Sequence, residues 1–433
     1  MKKIEFKNEL KNFNNIGQLC FNLGTFFLAS SLVIGALFYL ISLGISIFKT
    51  RLSILKEKWS LSLFFITGLL IFNTLRFNLI DLEANLYSFE KSSSWYALFN
   101  WIPFFFIFIF SQEYLRSRKQ RSTFTKFIVS GTIPVFISCG MQHWFNLYGP
   151  WKIFGGLIVW YNKSPDIIGN QISGLFSNAN YTGFWLSATI PLIIALFTNL
   201  KELSVKKIIL FLIYFFSVYF IFLTGSRNAL INLFISLILI YGIKTFIIFS
   251  LLGLLLILFL DIANFHSFLP KSLVDFIRGF SLNEFIFKIN KNIINLIKFP
   301  RVNIWFNSLL LIFQKPIFGF GAATFSSYYI LKNFAIQHTH SLPLQIAYDY
   351  GIFISFFLIS FPIIILFKGL KIVYKSSEES EKDLLNKCWV ISLLIIIIHH
   401  IFDITYFDGK ISIFIWLILT GVKCIIDEEK IIN

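Results

Sequence analysis

Apolar runs of about twenty residues recur from one end of the chain to the other, and no other feature constrains its fold as strongly. An α-helix needs roughly twenty consecutive, mostly apolar residues to cross a bilayer. About eleven runs approach this length, and they lie near residues 20–48, 59–80, 95–114, 123–142, 178–198, 206–224, 227–243, 244–261, 341–367, 387–404 and 411–426. Because 56% of the residues are hydrophobic and only 14% are charged, the composition is not that of a soluble domain. The sequence therefore predicts an all-α fold, a polytopic integral membrane protein of about 11–12 transmembrane helices.

Short loops rich in lysine and arginine set the predicted orientation. The segments "RSRKQR" (116–121), "KELSVKK" (201–207) and the stretch 368–387 are basic, so the positive-inside rule places them in the cytoplasm. The basic loop "KTRLSILKEK" (49–58) also falls inside, which leaves either an outside N-terminus or a first apolar run that does not cross simply. Such loops account for the formal net charge of +16, and no aromatic-basic module for nucleic acid accompanies it. We therefore expect membrane lipids and no nucleic acid among the partners.

Two polar stretches fall on the outer side in this orientation. The stretch 143–177 is rich in Trp, Tyr and Gly, as an interfacial segment would be. The longer stretch 262–339 has an excess of basic residues, which indicates either solvated lysines or an electropositive vestibule that gathers an anionic substrate. We predict N-terminal transmembrane helices over 1–170 and a second membrane domain over 171–426, which includes the outer loop 262–339.

An amphipathic helix is predicted near the end of the long loop, in "RVNIWFNSLLLIFQKP". Helical spacing places one set of side chains on a common face, and the Lys-Pro pair should stop the helix. The members of that face are Ile304, Trp305, Ser308, Leu309 and Ile312. This pattern is typical of a helix that lies over a membrane core.

Three features with possible chemistry converge on the outer side. Arg227 follows a predicted turn at Gly225-Ser226 in "LTGSRNAL", Arg301 heads the amphipathic helix, and His338 and His340 begin the next crossing. A charge at membrane depth usually faces a cavity or a partner, although an arginine also snorkels to headgroups and a lone surface histidine is usually inert. Guanidinium groups bind phosphate oxygens bidentately, and neutral imidazole accepts a proton near pH 7. If the donor is a sugar on a lipid pyrophosphate, the arginines can stabilise the charge on the leaving group and a histidine can serve as base for a hydroxyl acceptor.

The same residues carry a resemblance to a known family. The stretches "LFSNANYTGFWLSATIPLII", "LTGSRNAL", "RVNIWFNSLLLIFQKPIFGFGAATF" and "HTHSLPLQIAYDYGI", with the tail "HHIFDITYFDGKISIFIWLILTGV", resemble the O-antigen ligase and polymerase superfamily of bacterial envelopes. The resemblance implies a metal-independent, inverting glycosyltransferase in the bacterial inner (plasma) membrane, with its active site facing the periplasm and no cofactor. It implies an undecaprenyl-pyrophosphate-linked glycan as donor and a glycan or lipid A-core sugar as acceptor.

The resemblance also implies roles for particular residues. Arg227 and Arg301 would contact the pyrophosphate, and His340 would assist the acceptor, with His338 as a fallback for that role. The family's usual His-Asn pair appears here as His340-Ser341.

Weaker features complete the candidate site. His399 and Asp403 lie four residues apart, and together with the other histidines they could form a metal site. Pairing of Asp403 with an arginine or a histidine is the simpler interpretation. Asn180, at the start of the fifth run, is a minority candidate for sugar contact, since helix capping explains asparagines there. We take His338, Asp403, Ser226 and Asn180 as candidate substrate-binding residues and predict no metal ligands. The glycines of "FGFGAATF" (318–325) should permit a tight turn beneath the histidine helix.

Two other classes of protein stay open on the sequence alone. A transporter would place ionisable groups near the bilayer midplane, whereas the predicted crossings are nearly free of them, with Arg76 as an exception. The second open class is a non-catalytic component of polysaccharide assembly. Within the enzyme class, ligase, polymerase and protein O-glycosylation share the donor chemistry.

Overall fold

The computed structural model of the protein describes residues 2–49, 55–80, 91–169, 171–200, 202, 204–248, 251, 300–330, 336–374 and 384–432. The chain divides into two compact units, one formed by Met1–Gly131 with Ile304–Asn433 and the other by Thr132–Asn303. Most of the predicted crossing 244–261 and of the predicted loop 262–339 lies outside the described residues. The predicted domain boundary at 170/171 stays a prediction.

The described chain is helical, and the predicted all-α, polytopic membrane fold is confirmed. Within the described ranges, nine helical segments are long and apolar enough to cross a membrane. The first unit contains α1 (Lys2–Phe27), α2 (Leu32–Lys49), α3 (Lys58–Leu79), α4 (Ser93–Ala97), α5 (Ile102–Phe110), α6 (Gln112–Leu115) and α7 (Arg118–Ser130). The second unit follows with α8 (Ile133–Trp144), strands β1 (Trp151–Ile153) and β2 (Ile158–Trp160), α9 (Pro165–Ile168), α10 (Ala179–Thr198), α11 (Val205–Thr224) and α12 (Arg227–Tyr241). The chain continues with α13 (Pro300–Gln314), α14 (Phe325–Ile330), α15 (Leu342–Val373), α16 (Leu384–Phe402) and α17 (Gly409–Ile432).

The first apolar run, predicted as one crossing over 20–48, forms the end of one helix and most of another. Helix α1 ends at Phe27, a turn follows, and α2 begins at Leu32. The hydroxyl of Ser31 accepts a hydrogen bond from Ile34 N–H (3.2 Å), which caps the first turn of α2. Gly24 and Gly35 allow the two helices to pack closely, because a Cβ on Gly24 would lie 3.1 Å from the Gly35 carbonyl oxygen. The turn (28–31) consists of a leucine, an alanine and two serines, without a charged residue, and the apolar run therefore continues through it.

Charged side chains are buried inside the helices of the first unit. Lys423 of α17 bonds to Glu57 (2.8 Å) and Asp427 (2.7 Å), and the fully buried Arg121 pairs with Glu428. Asp349, only 7% exposed, lies within α15. Each of these charges has a hydrogen-bonding partner, which is the condition under which an apolar interior tolerates a charge.

Helix α15 breaks at Gly351, and the glycine-rich loop after α13 fills the break. Gly351 adopts φ +81°, and Ile352 N–H donates to the carbonyl of Pro316 (2.7 Å) instead of to its own helix. In return, the carbonyls of Tyr348 and Asp349 accept hydrogen bonds from residues of the loop, at 2.8 and 3.1 Å. Backbone groups freed at membrane depth must find partners, and this exchange supplies them. The predicted tight turn beneath the histidine helix is confirmed.

Substitution of Gly351 by alanine should prevent this packing. A Cβ at this position would lie 2.2 Å from the carbonyl oxygen of Ile317, and the positive φ adds strain. We expect a loss of roughly 2–5 kcal/mol of stability, seen as low yield of monodisperse protein and a lowered melting temperature in detergent. Gly68→Ala in α3 is the matched control, since a Cβ there meets nothing within 4 Å. Equal stability of the two variants would contradict this account of the break.

The second unit is built around α10. This helix is almost entirely buried, and Gly183 lets α12 approach it, because a Cβ on Gly183 would lie 2.9 Å from Ala229 Cβ. The predicted interfacial stretch 143–177 contains an antiparallel hairpin, β1 paired with β2, in which Trp151 is 39% and Phe154 of the connecting turn 74% exposed. Exposed aromatic side chains in this stretch fit the predicted interfacial setting.

Candidate functional site

His340 and Asp403, 63 residues apart in sequence, form a pair in the first unit. The imidazole Nδ1 lies 3.3 Å from Asp403 Oδ1, and Oδ1 also accepts a hydrogen bond from Ile404 N–H (2.9 Å). The Asp403 side chain is 6% exposed and that of His340 is 32% exposed. Because a carboxylate only accepts hydrogen bonds, Nδ1–H of a neutral imidazole donates to it and the Nε2 lone pair stays available. Among the described residues, Nε2 of His340 has no hydrogen-bond partner.

The backbone at His340 is held in a left-handed conformation. Its φ is +55°, a region in which non-glycine residues are uncommon and carry about 1–2 kcal/mol of strain. His340 N–H donates to Nδ1 of His338 (3.2 Å), and the two rings lie 4.4 Å apart, edge to face. The two histidines singled out in the sequence therefore lie in the same turn, at the N-terminus of α15, and contact each other there.

The loop that carries Asp403 is anchored by the residues that follow it. Tyr406 donates to the carbonyl of Asn100 (2.8 Å) and accepts from Trp416 Nε1 (2.9 Å), and burial raises the pKa of its hydroxyl. Asp408 caps α17 by accepting from the N–H groups of residues 410 and 411 (2.9 and 3.2 Å). Burial also raises the pKa of the Asp408 carboxyl, against the opposing effects of Lys410 and these two N–H groups. Hydrogen bonds of Tyr406 and Asp408 thus hold the loop that presents the Asp403 carboxylate.

The sequence also raised the alternative of a metal site at these histidines. His400 is buried, with Nδ1 bonded to the carbonyl of Ile396 (2.7 Å) and Nε2 to the hydroxyl of Thr405 (3.1 Å). In the part of the chain that the structure describes, no group of three or more His, Cys, Asp or Glu side chains is placed to hold a metal ion. Asp403 pairs with a histidine, which confirms the simpler of the two interpretations.

The predicted amphipathic helix is present as α13, with Arg301 exposed in its first turn. Ile304, Ser308, Leu311 and Ile312 form its buried face. Leu309, predicted to share that face, is 41% exposed, and Leu311 is buried in its place. The ring of Trp305, one turn after Arg301, lies 6.2 Å from that of Phe402, the neighbour of Asp403.

In the second unit, Arg227 begins α12 directly after the predicted turn. Gly225 ends α11 in a left-handed conformation (φ +63°), and the hydroxyl of Ser226 caps α12 by accepting from Ala229 N–H (3.4 Å). Arg227 is exposed. Asn180 N–H donates to the side chain of Asn178 (2.9 Å), the N-cap of α10. The turn is confirmed, as is helix capping by Asn178.

The structure brings three of the predicted residues together: His338, His340 and Asp403. Arg227, Ser226 and Asn180 belong to the second unit, as does Arg301 at its edge. Their convergence with the histidines stays a prediction.

Sequence reasoning missed a set of buried polar residues behind His340. Thr339, Gln345 and Asp349 are 0%, 4% and 7% exposed and are linked by hydrogen bonds. One signal was available in the sequence: Asp349 is an acid inside an apolar run, and such a residue indicates function.

Comparison with known families finds one match. Residues 210–359 match the model of the O-antigen ligase family. The matched region contains Arg227, Arg301, His338 and His340, whereas Asp403 lies beyond it. No curated protein matches the chain. The chain is a multi-pass membrane protein, and its residues 210–359 are similar to the O-antigen ligase family.

Proposed function

We propose that the protein is a glycosyltransferase that moves a glycan from undecaprenyl pyrophosphate onto a hydroxyl acceptor at the periplasmic face of the bacterial inner membrane. The observation that carries the proposal is the His340–Asp403 pair, a partly exposed imidazole whose Nδ1 faces a buried carboxylate. Such a pair orients an imidazole for proton abstraction. The match of residues 210–359 to the O-antigen ligase family supports the choice of reaction.

In this mechanism, Nε2 of His340 takes the proton of the acceptor hydroxyl as its oxygen attacks the anomeric carbon. The bond from that carbon to the pyrophosphate oxygen breaks, and its electron pair leaves with undecaprenyl pyrophosphate. Attack opposite to the leaving group inverts the anomeric configuration. Asp403 stabilises the imidazolium that forms, since its carboxylate lies beside Nδ1.

Arg227 and Arg301 have the second role, charge stabilisation. A pyrophosphate is already a good leaving group and gains negative charge as the bond breaks, so fixed guanidinium groups suffice and a general acid is unnecessary. Both side chains are exposed and each lies in the first turn of a helix, where the helix dipole also favours an anion. The proposed reaction uses no metal, and purified protein should keep its transfer activity in EDTA.

The acceptor decides between a ligase and a polymerase. Both use the donor chemistry described above, and they differ in whether the glycan passes to a lipid A-core sugar or to the growing repeat chain. Protein O-glycosylation is the third variant of the same reaction.

Deletion of the gene, followed by gel analysis of surface polysaccharide, tests the proposal and separates its variants. Loss of all long chains from the lipid anchor is the result expected of a ligase, and a single repeat unit left on the anchor is that of a polymerase. Unchanged lipid-linked polysaccharide together with a lost glycoprotein band would identify a protein acceptor. Unchanged glycans of every kind would overturn the proposal.

A further inference from the structure

The left-handed turn at His340 needs an explanation, because its strain must be offset by neighbouring contacts. The Thr339 side chain supplies two of them. Its hydroxyl donates to the Ser341 carbonyl (2.7 Å) and accepts from Ser341 N–H (3.3 Å), so that it closes the turn around His340 from both sides. Thr339 is fully buried and Ser341 is 5% exposed, so water cannot replace these bonds.

Gln345 holds the same turn from the first helical turn of α15. Its Oε1 accepts from Thr339 N–H (3.0 Å), and its Nε2 donates to Asp349 Oδ1 (2.9 Å). The direction of this amide is fixed, because a backbone N–H can only donate and a carboxyl oxygen at the other end accepts. Asp349 thereby determines which end of Gln345 faces Thr339.

Asp349 also ties the chain of bonds to the break in α15. Its carbonyl accepts from Gly321 N–H (3.1 Å), in the loop that follows α13. A buried acid inside an apolar helix is costly and needs a reason. Here the Asp349 carboxyl provides a fixed hydrogen-bond acceptor for Gln345, which in turn holds Thr339 in the turn at His340.

We propose that Thr339, Gln345 and Asp349 are positioning residues that fix the left-handed turn at His340 and so aim its imidazole at Asp403. The inference rests on the proposed glycosyltransferase function. The requirement is for hydrogen-bond acceptors and donors at defined atoms; the negative charge of Asp349 is not required. Small displacements of a catalytic group are expensive, since about 1 Å of misplacement costs on the order of 10²-fold in rate.

Pairs of matched variants test the inference. Thr339→Val keeps the shape but loses both hydroxyl bonds, and Asp349→Leu loses the acceptor; each should lower kcat roughly 10- to 100-fold with KM changed less than about threefold. Thr339→Ser and Asp349→Asn keep a hydroxyl and an Oδ1 acceptor and should retain most of the activity. An inactive but stably inserted Asp349→Asn would overturn the inference, because the carboxyl charge or proton would then be needed.

Thr125→Val separates positioning from general loss of core hydrogen bonds. The buried Thr125 hydroxyl also makes two such bonds, to the Arg121 carbonyl and from Trp389 Nε1. Trp389 lies about 20 Å along α16 from Asp403, at 1.5 Å per residue. Thr125→Val should lower the melting temperature about as much as Thr339→Val while leaving kcat unchanged. Equal kcat losses in both variants would overturn the positioning role.

A measurement independent of glycan transfer keeps this inference apart from the proposed function. Diethylpyrocarbonate modifies neutral imidazoles, and fragmentation mass spectrometry locates the adduct. We expect His340 to react several-fold faster in Thr339→Val than in wild type or Thr339→Ser, since its ring is no longer held against Asp403. Equal reaction rates would contradict the inference, whereas failure of the wild-type protein to transfer glycan would contradict only the proposed function.

Discussion

Replacement of His340 by asparagine is expected to lower glycan transfer by about 10³-fold, within the range of general-base catalysis and equivalent to about 4 kcal/mol of transition-state stabilisation. Asparagine is the informative substitution, because it tolerates positive φ better than other residues without an imidazole and so preserves the turn at +55°. The loss then reports the missing base and leaves the backbone intact. Single-turnover transfer from a lipid-linked glycan, with protein matched for insertion, is the measurement.

His143→Asn is the control for this variant. His143 is a second half-buried histidine, bonded to the hydroxyl of Tyr219 (3.1 Å), and it has no part in the proposed chemistry. Its replacement should leave the transfer rate near that of wild type. Activity of His340→Asn within about tenfold of wild type would exclude His340 as the base, since even weak general-base catalysis exceeds that factor.

A double variant of His340 and Asp403 tests whether Asp403 acts through the imidazole. If Asp403 acts only through the imidazole, the double variant His340→Asn/Asp403→Asn should be no slower than His340→Asn alone. If Asp403 instead binds substrate directly, the two losses should multiply. The 3.3 Å contact between the side chains favours the first outcome.

Local sequence signals predicted the parts of the site that depend on local structure. Three such parts follow from residues close in sequence. They are the turn at Gly225-Ser226, the end of α13 before Lys315-Pro316, and the histidines at the start of α15. Because an acid in a membrane setting needs a partner, the sequence predicted that Asp403 pairs with an arginine or a histidine. Its choice of His340, 63 residues away, needed the fold.

The sequence could not predict features that leave no break in hydropathy or that depend on distant backbone. The turn between α1 and α2 contains no charged residue, so the apolar run continues through it. The break at Gly351 depends on the loop after α13, because Ile352 N–H donates to the Pro316 carbonyl and Gly321 N–H donates to the Asp349 carbonyl. Such features follow from packing between segments, which a single sequence does not encode locally.

Arg227→Ala and Arg301→Ala should each lower the rate of glycan transfer by about 10³-fold. Each variant lacks one guanidinium group that would stabilise the negative charge developing on the leaving pyrophosphate. Lysine in either place keeps the charge but loses the bidentate fork, and we expect an intermediate loss of roughly 10- to 100-fold. Arg118→Ala is the matched control, since Arg118 is equally exposed at the start of α7 but belongs to a loop predicted to be cytoplasmic.

The double variant decides whether the two arginines serve one anion. If Arg227 and Arg301 hold the same diphosphate, loss of the first already ruins its placement, and the second substitution should add little to the first. If they lie at separate sites, the two losses should multiply toward 10⁶-fold, or one of them should be absent. Alanine variants that insert normally and transfer glycan at the wild-type rate would mean that the two guanidinium groups do not contact the pyrophosphate, and the leaving group would then need another source of positive charge.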